Sequence, residues 1–160
     1  MKIMVPLDWS DLSITAIPKA AALARALDQE LLLVTVAGPG IRAALQDFAD
    51  SEGEDPVDII ESNLRGAVRD LTDLRVSTDL LAGEDPASSL VERAARGDVD
   101  LIVIASHGRT GLERWMMGSV AERVVRGATV PVMVIPAPWA RTLDPTSTDA
   151  RFFLWSISWI

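Results

Sequence analysis

The stretch DLIVIASHGRTGLERWMMGSVAERVVRGATVPVMVIP, residues 100–136, decides the fold. It opens on an apolar run (100–105), passes through a glycine-bearing loop into SVAERVVRG (119–127), and closes on a second apolar run (130–136). Short runs that are nearly continuous in Val, Ile, Leu and Met read as strands buried on both faces, as in a parallel sheet covered by helices. The segment between them ends at Gly127, a common helix stop. The stretch is therefore read as strand, helix, strand.

The same alternation extends toward the N-terminus. KIMVPL (2–7) and ELLLVTV (30–36) are further buried-strand candidates, while RVSTDLL (75–81) is more polar and suits an edge. Leu12, Ala16, Ala20, Leu23, Ala24 and Leu27 fall on one helical face behind a Ser10 cap, with a kink expected at Pro18. Residues 57–74 repeat the rhythm through Val57, Ile60, Leu64, Ala67, Val68 and Leu71. EDPASSLVERAARG reads as a helix capped by Asp85, begun by Pro86 and stopped by Gly97. Residues 38–56 suit a loop with a short helical piece. The order βαβαβαβαβ implies right-handed crossovers and a doubly wound α/β sheet.

Composition narrows the chemistry. The chain has 160 residues, enough for one domain with a sizeable core, and about half of them are hydrophobic. A net charge of −8 argues against a nucleic-acid surface. No cysteine is present, which removes disulfides, thiol catalysis and zinc-thiolate sites and fits a cytoplasmic protein. One histidine leaves no two-histidine relay, and no metal site is expected in the protein itself. The N-terminal apolar run stops at Asp8, too soon for a signal peptide, and no run approaches the ~18–20 residues that span a membrane.

In doubly wound sheets ligands bind beyond the C-terminal strand ends, where the strand order reverses. That rule selects the loops after the first, second and fourth strands. The third of these carries Gly108 and then Gly118-Ser119 at a helix start. Glycine lets backbone approach an anion closely, and the first N–H groups of a helix are free and favour negative charge. A second reading stands beside this one: SVAE (119–122) matches a capping box, in which Ser and Glu satisfy the helix's own donors. Asp8 is placed to accept from a ribose or an amino group, or else to cap the first helix. His107 is a phosphate donor, a base or a structural residue, and Arg109 and Arg114 are phosphate partners or solvated surface charges.

Taken together, MVPLDWSDLS, LLLVTV, GEDPASSLVERA and the stretch quoted first resemble the universal stress protein family, of the ATP-binding type. The resemblance covers residues 1–137. It implies a Rossmann-like five-stranded parallel sheet of order 3-2-1-4-5, a homodimer, and ATP held by a G-x2-G-x9-G-[S/T] pattern. Here that pattern reads Ala105, Gly108, Gly118, Ser119, with alanine at the first glycine and Ala121 where Ser or Thr is frequent. By resemblance, Pro6, Leu7, Asp8 and Val36 hold the adenosine, Ile104, Ala105 and His107 line the loop, and Gly108, Arg109, Gly118, Ser119 and Val120 take the phosphates, with Mg2+ accompanying them. The implied role is regulatory binding of ATP or another adenine nucleotide, with at most very slow hydrolysis, because no carboxylate pair or Walker-type lysine is present. The alternative is a dimeric interaction protein that binds no nucleotide, favoured by Ala105 and Ala121. A nucleotidyl-transferase would need an HxGH-like signature, and SHGRTG supplies one histidine.

Residues 138–150 read as a linker. The tail RFFLWSISWI (151–160) alternates Phe153, Trp155, Ile157 and Trp159 with smaller or polar residues. Period two suits a strand added to a sheet edge of its own or a neighbouring subunit. A helix that stacks Trp155 and Trp159, or a free tail, are the other readings.

Overall fold

The computed structural model describes residues 1–38, 56–69, 71–106 and 118–136. Its elements run β1 (Lys2–Leu7), α1 (Asp11–Ile14), α2 (Ala16–Leu27), β2 (Glu30–Ala37), α3 (Pro56–Val68), β3 (Val76–Ala82), α4 (Pro86–Ala94), β4 (Val99–Ser106), α5 (Ser119–Gly127) and β5 (Val132–Pro136). The strands form one parallel sheet in the order β3-β2-β1-β4-β5. The more polar β3 is indeed at an edge.

Alternation along the strands divides the core in two. Ile3, Val5, Leu31, Leu33 and Val103 face Ala16, Ile17, Ala20 and Ala24 of α2 and Ile60 and Leu64 of α3. Met4, Leu32, Val34, Ile102 and Ile104 face Leu90 and Ala94 of α4 and Ala121 and Val124 of α5. Both faces of the central strands are thus dry, which is why their sequences read as unbroken apolar runs. The small residues on α2 let it lie close to the sheet. Where α4 meets α5, a Cβ added at Gly127 would stand 3.3 Å from Val91 Cγ2.

Several boundaries differ from the sequence reading. The single kinked helix expected after Asp8 is two helices, broken at Thr15, whose hydroxyl donates to Leu12 O at 2.6 Å. Pro18 then falls in the first turn of α2, where a missing N–H leaves no intrahelical bond unmade. The helix expected over 57–74 ends at Val68. β5 begins at Val132, because Pro131 has no N–H for the ladder; its carbonyl still accepts from Ile102 N at 3.0 Å. Asp85 caps α4 as expected, accepting from Ser88 N, with Pro86 in the first turn. Gly97 follows with φ +87, a conformation that favours glycine. The linker and tail, 138–160, and most of the loop 38–56 lie outside the described residues.

An ion network absent from the sequence reading braces the end of the sheet away from the strand C-termini. The buried Arg93 donates to Asp79 at 2.6 Å and to Asp98 at 2.7 and 3.2 Å. Lys2 Nζ continues the chain to Asp98 at 3.6 Å and Glu30 at 3.3 Å.

Candidate functional site

The strand order reverses between β1 and β4. β1 pairs with β2 along its whole length, from Lys2 to Leu7, but with β4 only from Lys2 to Met4. The ladder to β4 stops before Pro6, which has no N–H to donate. Beyond Met4 the two strands part, and a cleft of about 430 Å³ opens at their C-terminal ends. That volume is ordinary for a small-molecule site.

Nine of the twelve residues read from the sequence as nucleotide-binding line this one cleft: Pro6, Leu7, Asp8, Val36, Ile104, Ala105, Gly118, Ser119 and Val120. His107, Gly108, Arg109 and Arg114 lie outside the described residues. Val34, Val36, Leu90 and Ile104 make an apolar floor, and Ser106, Ser13 and Ser10 add hydroxyls. Sequence reasoning missed Ser106. It ends β4 in phase with Ile102 and Ile104 and accepts the Gly118 N–H at 3.0 Å, tying the two ends of the loop together.

Asp8 is held by its neighbours. Its Oδ1 accepts from Ser10 N at 3.0 Å and from the Ser10 hydroxyl at 2.6 Å, while Ser10 Oγ accepts from Ser13 N at 3.2 Å. Ser10, not Asp8, therefore caps α1, and Asp8 buttresses the cap. Trp9 adopts φ +64, where a bulky side chain is strained. This turn sends the Trp9 ring into the core between the sheet and α2 while Asp8 remains exposed at the cleft.

The two helices that flank the cleft begin differently. The start of α4 is plugged by its own carboxylate, since Asp85 accepts from Ser88 N at 3.2 Å. Hydrogen bonds from Arg123, and then from Ser88, hold the Asp85 carboxyl down to about 2. At α5 the cap is Gly118, which has no side chain to offer, and Ser119 is the first helical residue. The capping box read in SVAE does not form. Glu122 lies one position too far along, its N–H bonds to Gly118 O at 2.9 Å, and its carboxylate pairs with Arg126 at 2.9 Å. The Ser119 and Val120 amides have no acceptor among the described residues. Gly118 has φ −57, and among the described residues a Cβ there would come no closer than 3.9 Å to Ser106 Oγ, so neither backbone strain nor crowding by them accounts for glycine.

Ala105, the departure from the glycine pattern, is an ordinary strand residue paired with Ile135. It does not have positive φ, and its side chain packs with the α2–α3 core. Alanine is accommodated there without strain. Ala121 is buried against α4 and the sheet.

Residues 1–136 match the universal stress protein family. The chain belongs to that family. Universal stress protein MJ0531 of Methanocaldococcus jannaschii is 32% identical over 146 residues, spanning 86% of this chain and 82% of the relative. Among solved structures, MJ0577 of the same organism superimposes with a TM-score of 0.66 at 25% identity, covering 84% of this chain and 94% of that one. A universal stress protein from Archaeoglobus fulgidus, solved in complex with dAMP, gives a TM-score of 0.59 at 27% identity over 84% of this chain and 97% of that one. The parallel sheet of order 3-2-1-4-5 is the fold these universal stress proteins share. Among the described residues no helix is long and apolar enough to cross a membrane, and no group of three His, Asp or Glu side chains gathers to hold a metal ion.

Proposed function

We propose that this universal stress protein binds ATP or another adenine nucleotide in the β1/β4 cleft and acts as a regulatory binding protein rather than a catalyst. The observation that carries the reading is the open start of α5. Among the described residues its Ser119 and Val120 amides meet no side-chain cap, and both residues line a cleft with an apolar floor. An aromatic base suits Val34, Val36, Leu90 and Ile104, and Asp8 at the rim accepts from a hydroxyl or amino group. Phosphate oxygens suit the helix start and its dipole. The dAMP complex of the Archaeoglobus relative supports the ligand class. Mg2+ would arrive with the ligand, carried chiefly by phosphate oxygens.

Nothing in the described cleft pairs a base with a nucleophile, so the chemistry proposed stops at binding. Occupancy would favour one loop or dimer state over another. A homodimer through β5 suits the open sheet edge, where Met133 is 39% exposed and Val125 on the adjoining α5 is 40% exposed. The cytoplasm suits a cysteine-free chain. The test is calorimetric titration with ATP, AMP and adenosine, together with mass spectrometry of small molecules released on denaturation. Saturable binding of a nucleotide is expected. No heat and no thermal shift at millimolar ATP would leave the dimeric interaction protein as the reading.

A further inference from the structure

One ion pair ties the starts of the two helices that flank the cleft. Arg123 Nη1 donates to Asp85 Oδ1 and Nη2 to Oδ2, each at 2.6 Å. Asp85 stands between Glu84 and Pro86, which both line the cleft, and it also takes the Ser88 amide and hydroxyl. Arg123 lies one helical turn beyond Ser119, which lines the cleft from the other side. Helical side chains lean toward the N-terminus of their own helix, so this guanidinium covers the turn that opens at Ser119. Its planar fork fits a phosphate as well as it fits a carboxylate. The paired side chains are 56% and 37% exposed. Exchanging one anion for another there does not strand a buried charge.

We infer that Arg123 is shared, held by Asp85 when the cleft lacks an anion and captured by a phosphate of the ligand when one binds. The inference rests on the nucleotide reading above and adds its regulation. A phosphate at the α5 start competes with Asp85, so binding loosens the clasp between α4 and α5. By reciprocity, weakening the clasp tightens phosphate binding. Asp85 is thus a built-in competitor as well as the cap of α4.

The experiment measures ATP and adenosine affinities by calorimetry on the full chain, for wild type, Asp85→Asn, Arg123→Gln and the double variant. The ATP-to-adenosine affinity ratio isolates the phosphate contribution and cancels any general loss of folded protein. Asparagine still caps a helix, so α4 survives the first change. Asp85→Asn is expected to raise the ratio about fivefold or more, and Arg123→Gln to lower it by a similar factor. The gain from Asp85→Asn should vanish in the Arg123→Gln background, whereas simple removal of a nearby negative charge would raise the ratio in both. ATP binding with an unchanged ratio in the single variants, a lower ratio in Asp85→Asn, or a gain that survives without Arg123 overturns the clasp alone. Failure of wild type to bind either ligand overturns the nucleotide reading and the clasp with it.

Discussion

Ser119→Pro isolates the contribution of a single backbone amide. Proline is favoured in the first turn of a helix, where its absent N–H has no intrahelical partner to lose. It restricts the residue before it to extended backbone, and Gly118 already has φ −57 and ψ 148. The substitution should therefore leave stability within about 0.5 kcal/mol, the usual range for surface changes that touch no special feature. What it removes is one N–H aimed at the proposed phosphate position, together with the Ser119 hydroxyl. A hydrogen bond to a charged group contributes about 1.5–3 kcal/mol. Ser119 is exposed and the cleft is open to water, so the lower end applies, equivalent to roughly a tenfold loss of ATP affinity.

Ser119→Ala is the necessary partner, since it removes the hydroxyl and keeps the amide. Calorimetric titration of both variants with ATP and with adenosine separates the contributions. The amide reading requires Ser119→Pro to bind ATP about tenfold more weakly than Ser119→Ala, with adenosine bound alike by both. If the two variants bind ATP equally while melting at the same temperature as wild type, the Ser119 amide does not hold phosphate, and the reasoning from the uncapped helix start is refuted.

Three further outcomes follow from the geometry. Ala105→Gly should leave ATP affinity unchanged and lower stability by roughly 0.5–1 kcal/mol, because the alanine methyl packs with the α2–α3 core and glycine weakens a strand; a gain in ATP binding would show that the methyl obstructs the ligand. Arg93→Met leaves Asp79 and Asp98 without their buried partner and should cost about 2–4 kcal/mol, somewhat below the loss for a fully buried pair because both carboxylates keep some solvent contact, as read by urea denaturation. For Asp85, a folded pKa of about 2 against an ordinary 3.8 means stabilisation that is fully present above 3.8 and disappears as pH falls toward 2. The melting-temperature difference between wild type and Asp85→Asn should accordingly shrink over that window; a constant difference would show that the charge state of Asp85 does not stabilise the fold.

The legible parts of this protein were those set by local pattern. Five strands, the Asp85-Pro86 helix start and the edge position of β3 follow from runs and spacings a few residues long. The missed features depend on partners far apart in sequence or on a choice between near-equal local structures. SVAE satisfies a capping-box pattern, yet the helix starts one residue earlier than that pattern needs, and no local signal distinguishes the two registers. Asp85 and Arg123 are 38 residues apart, and only the packing of α4 on α5 brings them together. Ser106 falls just past the apolar run 100–105 and carries no signal of its own until its hydroxyl is seen to accept from Gly118. Trp9 gives no sign in sequence of the backbone turn that separates it from Asp8. In each case the pattern identified the segment, and tertiary contacts fixed the orientation within it.

By net charge alone an acidic chain with no lysine lining its cleft is a poor host for a polyphosphate, but net charge acts over distance and is screened within ~8–10 Å at ordinary salt. What a phosphate meets at contact range is set by dipoles and unpaired donors. The truncated β1–β4 ladder leaves a cleft at the switch point, and among the described residues no side chain caps the α5 start beside it. At the neighbouring helix start Asp85 takes the place an anion would occupy. Among the described residues, the fold therefore presents two helix starts to one cleft, one filled by its own carboxylate and one without a side-chain cap. In the proposed reading this asymmetry is what would direct an incoming anion to α5 without requiring a net positive protein.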